Sequence, residues 1–189
     1  MLAATPVARY LELMSDSIAG RRIHMPKCIN EAELIAAQKA ALIRFDIDER
    51  LTLAGQPQPD DWAALAAEGF QTVINMRSDP ERAAVQQRNA EAVGLQYIHL
   101  PLPVYELEPD HLEQYHQVMQ SAQGRVFLHC RSATRVALMW MLDRIVYDGW
   151  RREETESALR AAGYDDEAME TFAFCADDYF ERVAAASGR

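Results

Sequence analysis

Apolar residues recur at helical spacing over residues 6–19, where Val7, Tyr10, Leu11, Met14 and Ile18 form one face and Pro6 occupies a first-turn position. Gly20 ends that pattern. A basic, irregular stretch with Arg21, Arg22, Pro26 and Lys27 follows, and then a second helical pattern carrying Leu34, Ile35, Ala41 and Leu42. Residues 1–44 therefore predict an N-terminal helical extension, either a docked structural arm or a partner-binding segment. Residues 45–189 predict an α/β domain, because strand and helix signals alternate from about Ile43 onward.

Strand patterns fall over residues 43–47, 51–53, 72–76, 96–100 and 125–129. Between them lie helices. Asp60 or Asp61 can cap one that runs to Glu68 and closes at Gly69; Pro80 opens another that runs to Val93 and closes at Gly94; a third spans residues 110–122. A strongly apolar helix follows His129, with Leu138, Met139, Trp140, Met141, Leu142 and Trp150 read as core. Helices over residues 151–162 and 166–186 close the chain, and the acidic run Asp165-Asp166-Glu167 suits the positive end of the last one. The repeated strand-helix order predicts a mostly parallel central sheet flanked by helices in three layers. Ligands of such sheets bind beyond the carboxyl ends of the strands, where Cys130 falls.

Composition narrows the function. Hydrophobic residues make up 49% and charged residues 25% of 189, as in ordinary folded domains. The net charge of −10, from 29 acidic against 19 basic side chains, repels phosphate backbones and anionic lipid. Nucleic acid and membrane are not expected partners, and any anionic substrate needs a local cluster of donors. Cys28, Cys130 and Cys175 are odd in number and have no C-x-x-C pairing, so neither a disulfide framework nor zinc is indicated. His111 and His116 lie five apart on a predicted helix and face different directions, which argues against a shared metal and for solvent exposure. No metal and no cofactor are expected. No apolar run approaches the ~20 residues of a membrane span, and the N-terminus lacks a basic region followed by an apolar stretch, so a cytoplasmic location is expected.

The chemistry concentrates in Val126-Phe127-Leu128-His129-Cys130-Arg131-Ser132-Ala133-Thr134-Arg135-Val136, a strand that delivers a cysteine into a small, polar loop and then a helix. A thiol there faces the helix N-terminus and unpaired backbone amides, with Arg131 and Arg135 nearby. Its pKa is expected below the ~8.5 of a free thiol. The same amides and guanidiniums make a nest for a tetrahedral oxyanion. A buried structural cysteine is the plainer alternative, but two arginines at a helix start oppose the dipole unless an anion binds there.

This segment resembles the signature of the cysteine-based tyrosine and dual-specificity phosphatase superfamily, in which His-Cys and a later Arg lie between a strand and a helix. Arg135 follows Cys130 after four residues rather than five, and the resemblance is closest to the bacterial beta-lactamase-hydrolase-like, atypical branch with the shorter Cys-x4-Arg loop. It runs from about Ile43 to Gly163, supported by Ala54-Gly55-Gln56-Pro57, Thr72-Val73-Ile74-Asn75-Met76-Arg77 and Tyr97-Ile98-His99-Leu100-Pro101. The resemblance implies a phosphocysteine formed on Cys130, phosphoryl binding by Arg135 and the amides of Arg131, Ser132, Ala133, Thr134 and Arg135, and a part for His129 in setting the loop and the thiol pKa. Ser132 or Thr134 is placed to hydrogen-bond the sulfur. The family's general acid is an Asp on the loop that here reads from Pro101 to Asp110; Glu106 and Asp110 are the candidates. Ala133 stands where many related loops have Gly, and a positive φ there costs a methyl-bearing residue about 1 kcal/mol.

The leading expectation is a phosphomonoester hydrolase, with phosphorylated protein or a small phosphomonoester as substrate and phosphotyrosine the default. A rhodanese-like sulfurtransferase carrying a persulfide on Cys130 and a catalytically weak phosphate-binding module are the alternatives. His99 is read as a core or supporting residue. Arg77 and Gln56 are candidates for the substrate entrance.

Overall fold

The computed structural model describes residues 42–103 and 106–187, so the helices expected before residue 42, and with them the proposed arm, lie outside the described residues. Five strands form one sheet: β1 (Arg44–Asp46), β2 (Leu51–Ala54), β3 (Phe70–Asn75), β4 (Gln96–His99) and β5 (Arg125–His129), in the spatial order β1-β2-β5-β3-β4. Only β1 runs antiparallel. It pairs with β2 across a tight turn in which the Asp48 carboxylate accepts from the amides of Arg50 and Leu51, both at 2.7 Å. β2, β5, β3 and β4 are mutually parallel, as the alternation of elements predicts.

Among the described residues six helices cover the sheet: α1 (Asp61–Ala67), α2 (Pro80–Ala92), α3 (Pro109–Ser121), α4 (Thr134–Asp148), α5 (Arg152–Ala162) and α6 (Asp166–Ser187). Local chemistry sets their ends. Asp79 caps α2 by accepting from Arg82 N at 3.0 Å, with Pro80 just inside the first turn. The Asp165 carboxylate accepts from Ala168 N at 2.9 Å and so starts α6 within the acidic run. Asp60 caps α1 in sequence only, because no side-chain bond forms there, and Asp61 instead accepts from Gln58 N at 2.6 Å. β3 begins two residues before the expected Thr72, because Gly69, at φ 87°, turns the chain directly into Phe70.

β5 is central, with neighbours on both sides, and its side chains alternate between two cores. Val126, Leu128 and Cys130 enter the larger core with α3, α4, α5 and α6, whereas Phe127 packs with Trp62, Leu65, Phe70, Val73, Ala90 and Leu95 under α1 and α2. Residues 136–143 of α4 are all buried, which bears out the core reading of Leu138 to Leu142, but Trp150, expected in the core with them, lies past the end of α4 and is 38% exposed.

Two histidine assignments change. His116 is not a solvent-facing residue: its Nδ1 lies 2.8 Å from the fully buried Asp143 carboxylate and its ring stacks on Tyr147 at 3.9 Å. The buried acid, which the helical pattern of α3 does not reveal, draws it in. His111 is half-buried and accepts from Glu108 N at 3.0 Å in a capping box. Among the described residues no group of three or more His, Cys, Asp and Glu side chains could hold a metal ion, and no helix is long and apolar enough to cross a membrane.

Phe127 is fully buried and meets Phe70 edge-on at 5.4 Å. Phe127→Ala is expected to cost about 3–5 kcal/mol, seen as a lower urea midpoint at unchanged slope, whereas Val85→Ala, at an exposed site, stays within about 0.5 kcal/mol of wild type.

Candidate active site

The site grows from the carboxyl ends of the three inner strands. Register places Ala54 of β2 and Asn75 of β3 on either side of His129, the last residue of β5. The pairing continues one step further. Cys130 N donates to Ala54 O at 3.2 Å and Met76 N donates to His129 O at 2.9 Å, so Cys130 leaves the sheet flanked by both neighbours. It is 2% exposed.

From Cys130 the chain turns through Arg131, Ser132 and Ala133 into α4. Ala133 adopts φ 66°, ψ −5°, the left-handed conformation that makes this compact turn possible. The expected strain is therefore present, and a hydrogen bond offsets it: the Tyr164 hydroxyl donates to Ala133 O at 3.0 Å. Tyr164 itself is stacked on Phe45 at 3.8 Å, and burial, with Cys130 nearby, pushes its hydroxyl far above the ordinary phenol range. It remains a donor at all working pH.

The amides of Ser132, Thr134, Arg135 and Val136 donate to no acceptor among the described residues. They form an unsatisfied donor set at the positive end of α4. The loop is braced from outside by β2: Gln56 N donates to Arg131 O at 3.3 Å, and a Cβ on Gly55 would lie 3.3 Å from the same oxygen. That approach explains the glycine of Ala54-Gly55-Gln56-Pro57. The side chains of Ser132 and Thr134 bond each other, Oγ to Oγ1 at 3.2 Å, and neither reaches the Cys130 sulfur.

Arg135 points back from the first turn of α4 across the strand ends. Its Nη1 donates to Leu102 O at 2.9 Å and to Met76 O, while its Nε is buried without a partner. Burial pulls the guanidinium below its ordinary value and the nearby Cys130 opposes that fall; it stays cationic. Two carbonyls thus fix one edge of the fork and leave a donor unmatched.

His129 is fully buried beneath the loop, between the ends of β2 and β3. Its Nδ1 lies 3.3 Å from Cys130 O, and since a carbonyl only accepts, Nδ1 carries the proton. Burial, with Arg77 and His99 adding repulsion, lowers its pKa to about 3. His129 is therefore neutral and holds the loop backbone rather than supplying charge to the thiol.

Both candidate acids are at the surface. Glu106 is exposed at φ 58°, next to undescribed residues 104 and 105, and Asp110 is exposed in the first turn of α3. Neither makes a side-chain hydrogen bond or ion pair among the described residues. Glu106 lies four residues beyond Leu102, whose carbonyl holds Arg135; Asp110 lies beyond the buried Leu107 and the capping box of α3. Gln56 borders a cleft of about 330 Å3 beside the loop, lined also by Pro57, Trp62, Val85, Gln86 and Asn89.

Two supports have no counterpart in motif spacing. Tyr164 lies 34 residues past Cys130 and carries no local signal. The other is a buried network in which Asn75 donates to Gln86 Oε1 at 3.1 Å, bonds Tyr97 Oη at 2.8 Å and accepts from Arg77 N at 2.8 Å. A buried Asn at the end of a β-branched strand was its only trace.

Residues 42–146 match the model of the family described as the phosphatase-like domain of beta-lactamase hydrolase-like protein. The beta-lactamase hydrolase-like protein of Agrobacterium fabrum is 32% identical over 124 residues, covering 63% of this chain and 29% of its own; that of Xylella fastidiosa is 29% identical over 125 residues, covering 64% and 29%. This chain thus spans under a third of the length of those relatives. The crystal structure of NMA1982 from Neisseria meningitidis aligns with a TM-score of 0.59 at 25% identity, over 68% of this chain and 94% of that one. TpbA of P. aeruginosa aligns with a TM-score of 0.59 at 17% identity, over 77% and 91%, and shares the fold.

A buried neutral histidine makes stability depend on pH. Folded His129 stays neutral down to about pH 3, whereas the unfolded chain takes up a proton near its ordinary 6.5, so its contribution is complete above pH 6.5 and is lost as pH falls. Between roughly pH 7.5 and 5 the loss is about 2 kcal/mol. Urea unfolding of wild type and His129→Asn at both pH values should show that increment in the first and not in the second.

Proposed function

The chain belongs to the family of the phosphatase-like domain of beta-lactamase hydrolase-like proteins, and on that premise we propose that it hydrolyses phosphomonoesters through a phosphocysteine on Cys130. The observation that carries this reading is the donor set around the thiol: four amides without acceptors and a guanidinium with an unmatched Nε, gathered at the strand end where Cys130 emerges. In a chain of net charge −10, such a concentration of unsatisfied donors fits a tetrahedral dianion.

The chemistry follows from those positions. The Cys130 thiolate attacks phosphorus, a P–S bond forms, and the P–O bond to the leaving alcohol breaks. The Arg135 guanidinium and the amides of Ser132, Thr134, Arg135 and Val136 hold the three equatorial oxygens, whose charge persists through the transition state. A carboxylic acid, Glu106 ahead of Asp110 by chain proximity, gives its proton to the leaving oxygen. Water then attacks the phosphocysteine, the carboxylate takes its proton, the P–S bond breaks and orthophosphate leaves with the thiolate restored. Ser132 or Thr134, whose hydroxyls bond each other beside the nucleophile in the chain, would stabilise the sulfur as leaving group by donating to it. His129 positions the loop through Cys130 O.

Aryl phosphates, including phosphotyrosine, are the proposed substrate class. TpbA, which shares the fold, has been solved in complex with phosphotyrosine. The left-handed Ala133, stabilised by Tyr164, keeps the short loop compatible with an anion cradle.

Hydrolysis of phenyl phosphate tests the proposal. Cys130→Ser should lose on the order of 10³-fold or more in kcat/KM, and Arg135→Lys about 10²–10³-fold. Glu106→Gln should lose about 10²-fold with phenyl phosphate and less with p-nitrophenyl phosphate, whose leaving group needs no proton. A loss with Asp110→Asn instead would transfer the acid role to Asp110. Phosphate release that survives Cys130→Ser would overturn the mechanism, and vanadate-insensitive sulfur transfer from thiosulfate would replace it.

A further inference from the structure

Arg77 stands at the end of β3, and the strand pairing fixes where. Asn75 is opposite His129, and the bond from Met76 N to His129 O extends that pairing by one residue, so Met76 lies beside Cys130. Arg77 follows Met76, one residue beyond the strand end that flanks the nucleophile, close enough for the charges of both Cys130 and Arg131 to act on it. Its guanidinium interacts electrostatically with Cys130.

Its backbone is pinned on both sides by side chains. Arg77 N donates to Asn75 Oδ1 at 2.8 Å, and His99 Nε2 donates to Arg77 O at 2.6 Å. Asn75 is itself held by Gln86 and Tyr97. Neither contact uses the arginine side chain, so the turn does not require a cation there. Among the described residues the guanidinium has no hydrogen bond or ion pair. Asp79, whose charge attracts the guanidinium, is committed to Arg82, at 3.1 Å to its Nε and 3.0 Å to its N, where it caps α2. Arg77 is half-buried, and Arg82 and Arg131 repel it further.

A protein with ten more acidic than basic side chains thus leaves, among the described residues, a half-buried arginine with no hydrogen-bonded or ion-paired carboxylate, attracted only at a distance by Asp79. Desolvating a cation without pairing it is unfavourable, and the position yields that energy back only when an anion arrives. The scissile phosphoryl group is already provided for by Arg135 and the loop amides. We infer that Arg77 binds a second anionic group on the substrate, so that the site prefers phosphomonoesters carrying a carboxylate or a further phosphate near the scissile one. The inference rests on the phosphomonoester reading and deepens it. The fork geometry of a guanidinium suits a carboxylate held bidentately, and because both partners are partly desolvated the pair gains more than an exposed one.

The test is equilibrium binding by calorimetry to the full chain carrying Cys130→Ser, which binds without turnover. The ligands are phenyl phosphate, the 2-, 3- and 4-carboxyphenyl phosphates, and their carbamoyl isosteres, which match the carboxylates in shape and lack the charge. The expected result is that at least one carboxylate isomer binds about tenfold tighter than its carbamoyl partner at low ionic strength. Adding Arg77→Gln should remove that ratio, and Arg77→Lys should retain part of it, because a point charge replaces the fork. Circular dichroism of the variants checks that the pinned turn survives. Equal binding of every carboxylate and its carbamoyl partner, or a ratio that survives Arg77→Gln, would overturn the inference while wild-type hydrolysis of phenyl phosphate left the general reading standing. No binding of any ligand, together with no wild-type hydrolysis, would overturn both.

Discussion

One guanidinium ties together the parts of this molecule that matter for chemistry. Arg135 begins on α4, the most buried helix, and ends on the carbonyls of Met76 and Leu102, which terminate β3 and begin the segment after β4. Those carbonyls lie past the last ladder bonds of their strands, where a parallel sheet has no further partner to offer. The arginine satisfies them and in return is held in one orientation across the loop that starts at Cys130. Fold and candidate site therefore share an interaction: the contact that closes the carboxyl edge of the sheet also aims the donor. An Arg is needed because Lys cannot donate to two carbonyls in fixed directions and keep a further planar edge for an anion.

The rest of the site is built by the same economy of short contacts at strand ends. β2 supplies Ala54 O to Cys130 N and lets Gly55 close on the loop; β3 supplies Met76 N to His129 O and, one residue later, Arg77. His129 gives the loop a hydrogen bond from beneath while remaining uncharged, so no buried cation competes with the anion cradle. Tyr164, delivered from the turn after α5, holds the carbonyl of the left-handed Ala133. The loop is thus fixed by residues from β2, β3 and the α5–α6 connection. The amides it exposes are preorganised, which is where electrostatic catalysis gains most.

Much of this architecture was legible in the chain because its signals are local. β5 and the loop from Cys130 to Arg135 follow from one apolar strand run into small polar residues, and α4 from an all-round apolar helix after it. Pro80 and the acidic run from Asp165 announced their helix starts. What escaped depends on contacts between distant positions. His116 reads as a surface residue until Asp143, 27 positions away, appears beside it. Tyr164 has no periodic reason to touch Ala133. The choice of general acid stayed open for a different cause: Glu106 and Asp110 are both exposed, on and just after a connection whose geometry no hydrophobic pattern determines.

The central claim is covalent, and a covalent trap tests it most directly. Wild-type chain mixed with phenyl phosphate, quenched in acid within the first turnovers and digested, should yield the peptide containing Cys130 heavier by one phosphoryl group, with no such adduct on Cys175 or on the Cys130→Ser chain. Turnover of phenyl phosphate without any phosphoryl adduct on Cys130, in a protein that keeps its rate when Cys130 is replaced, would contradict the account.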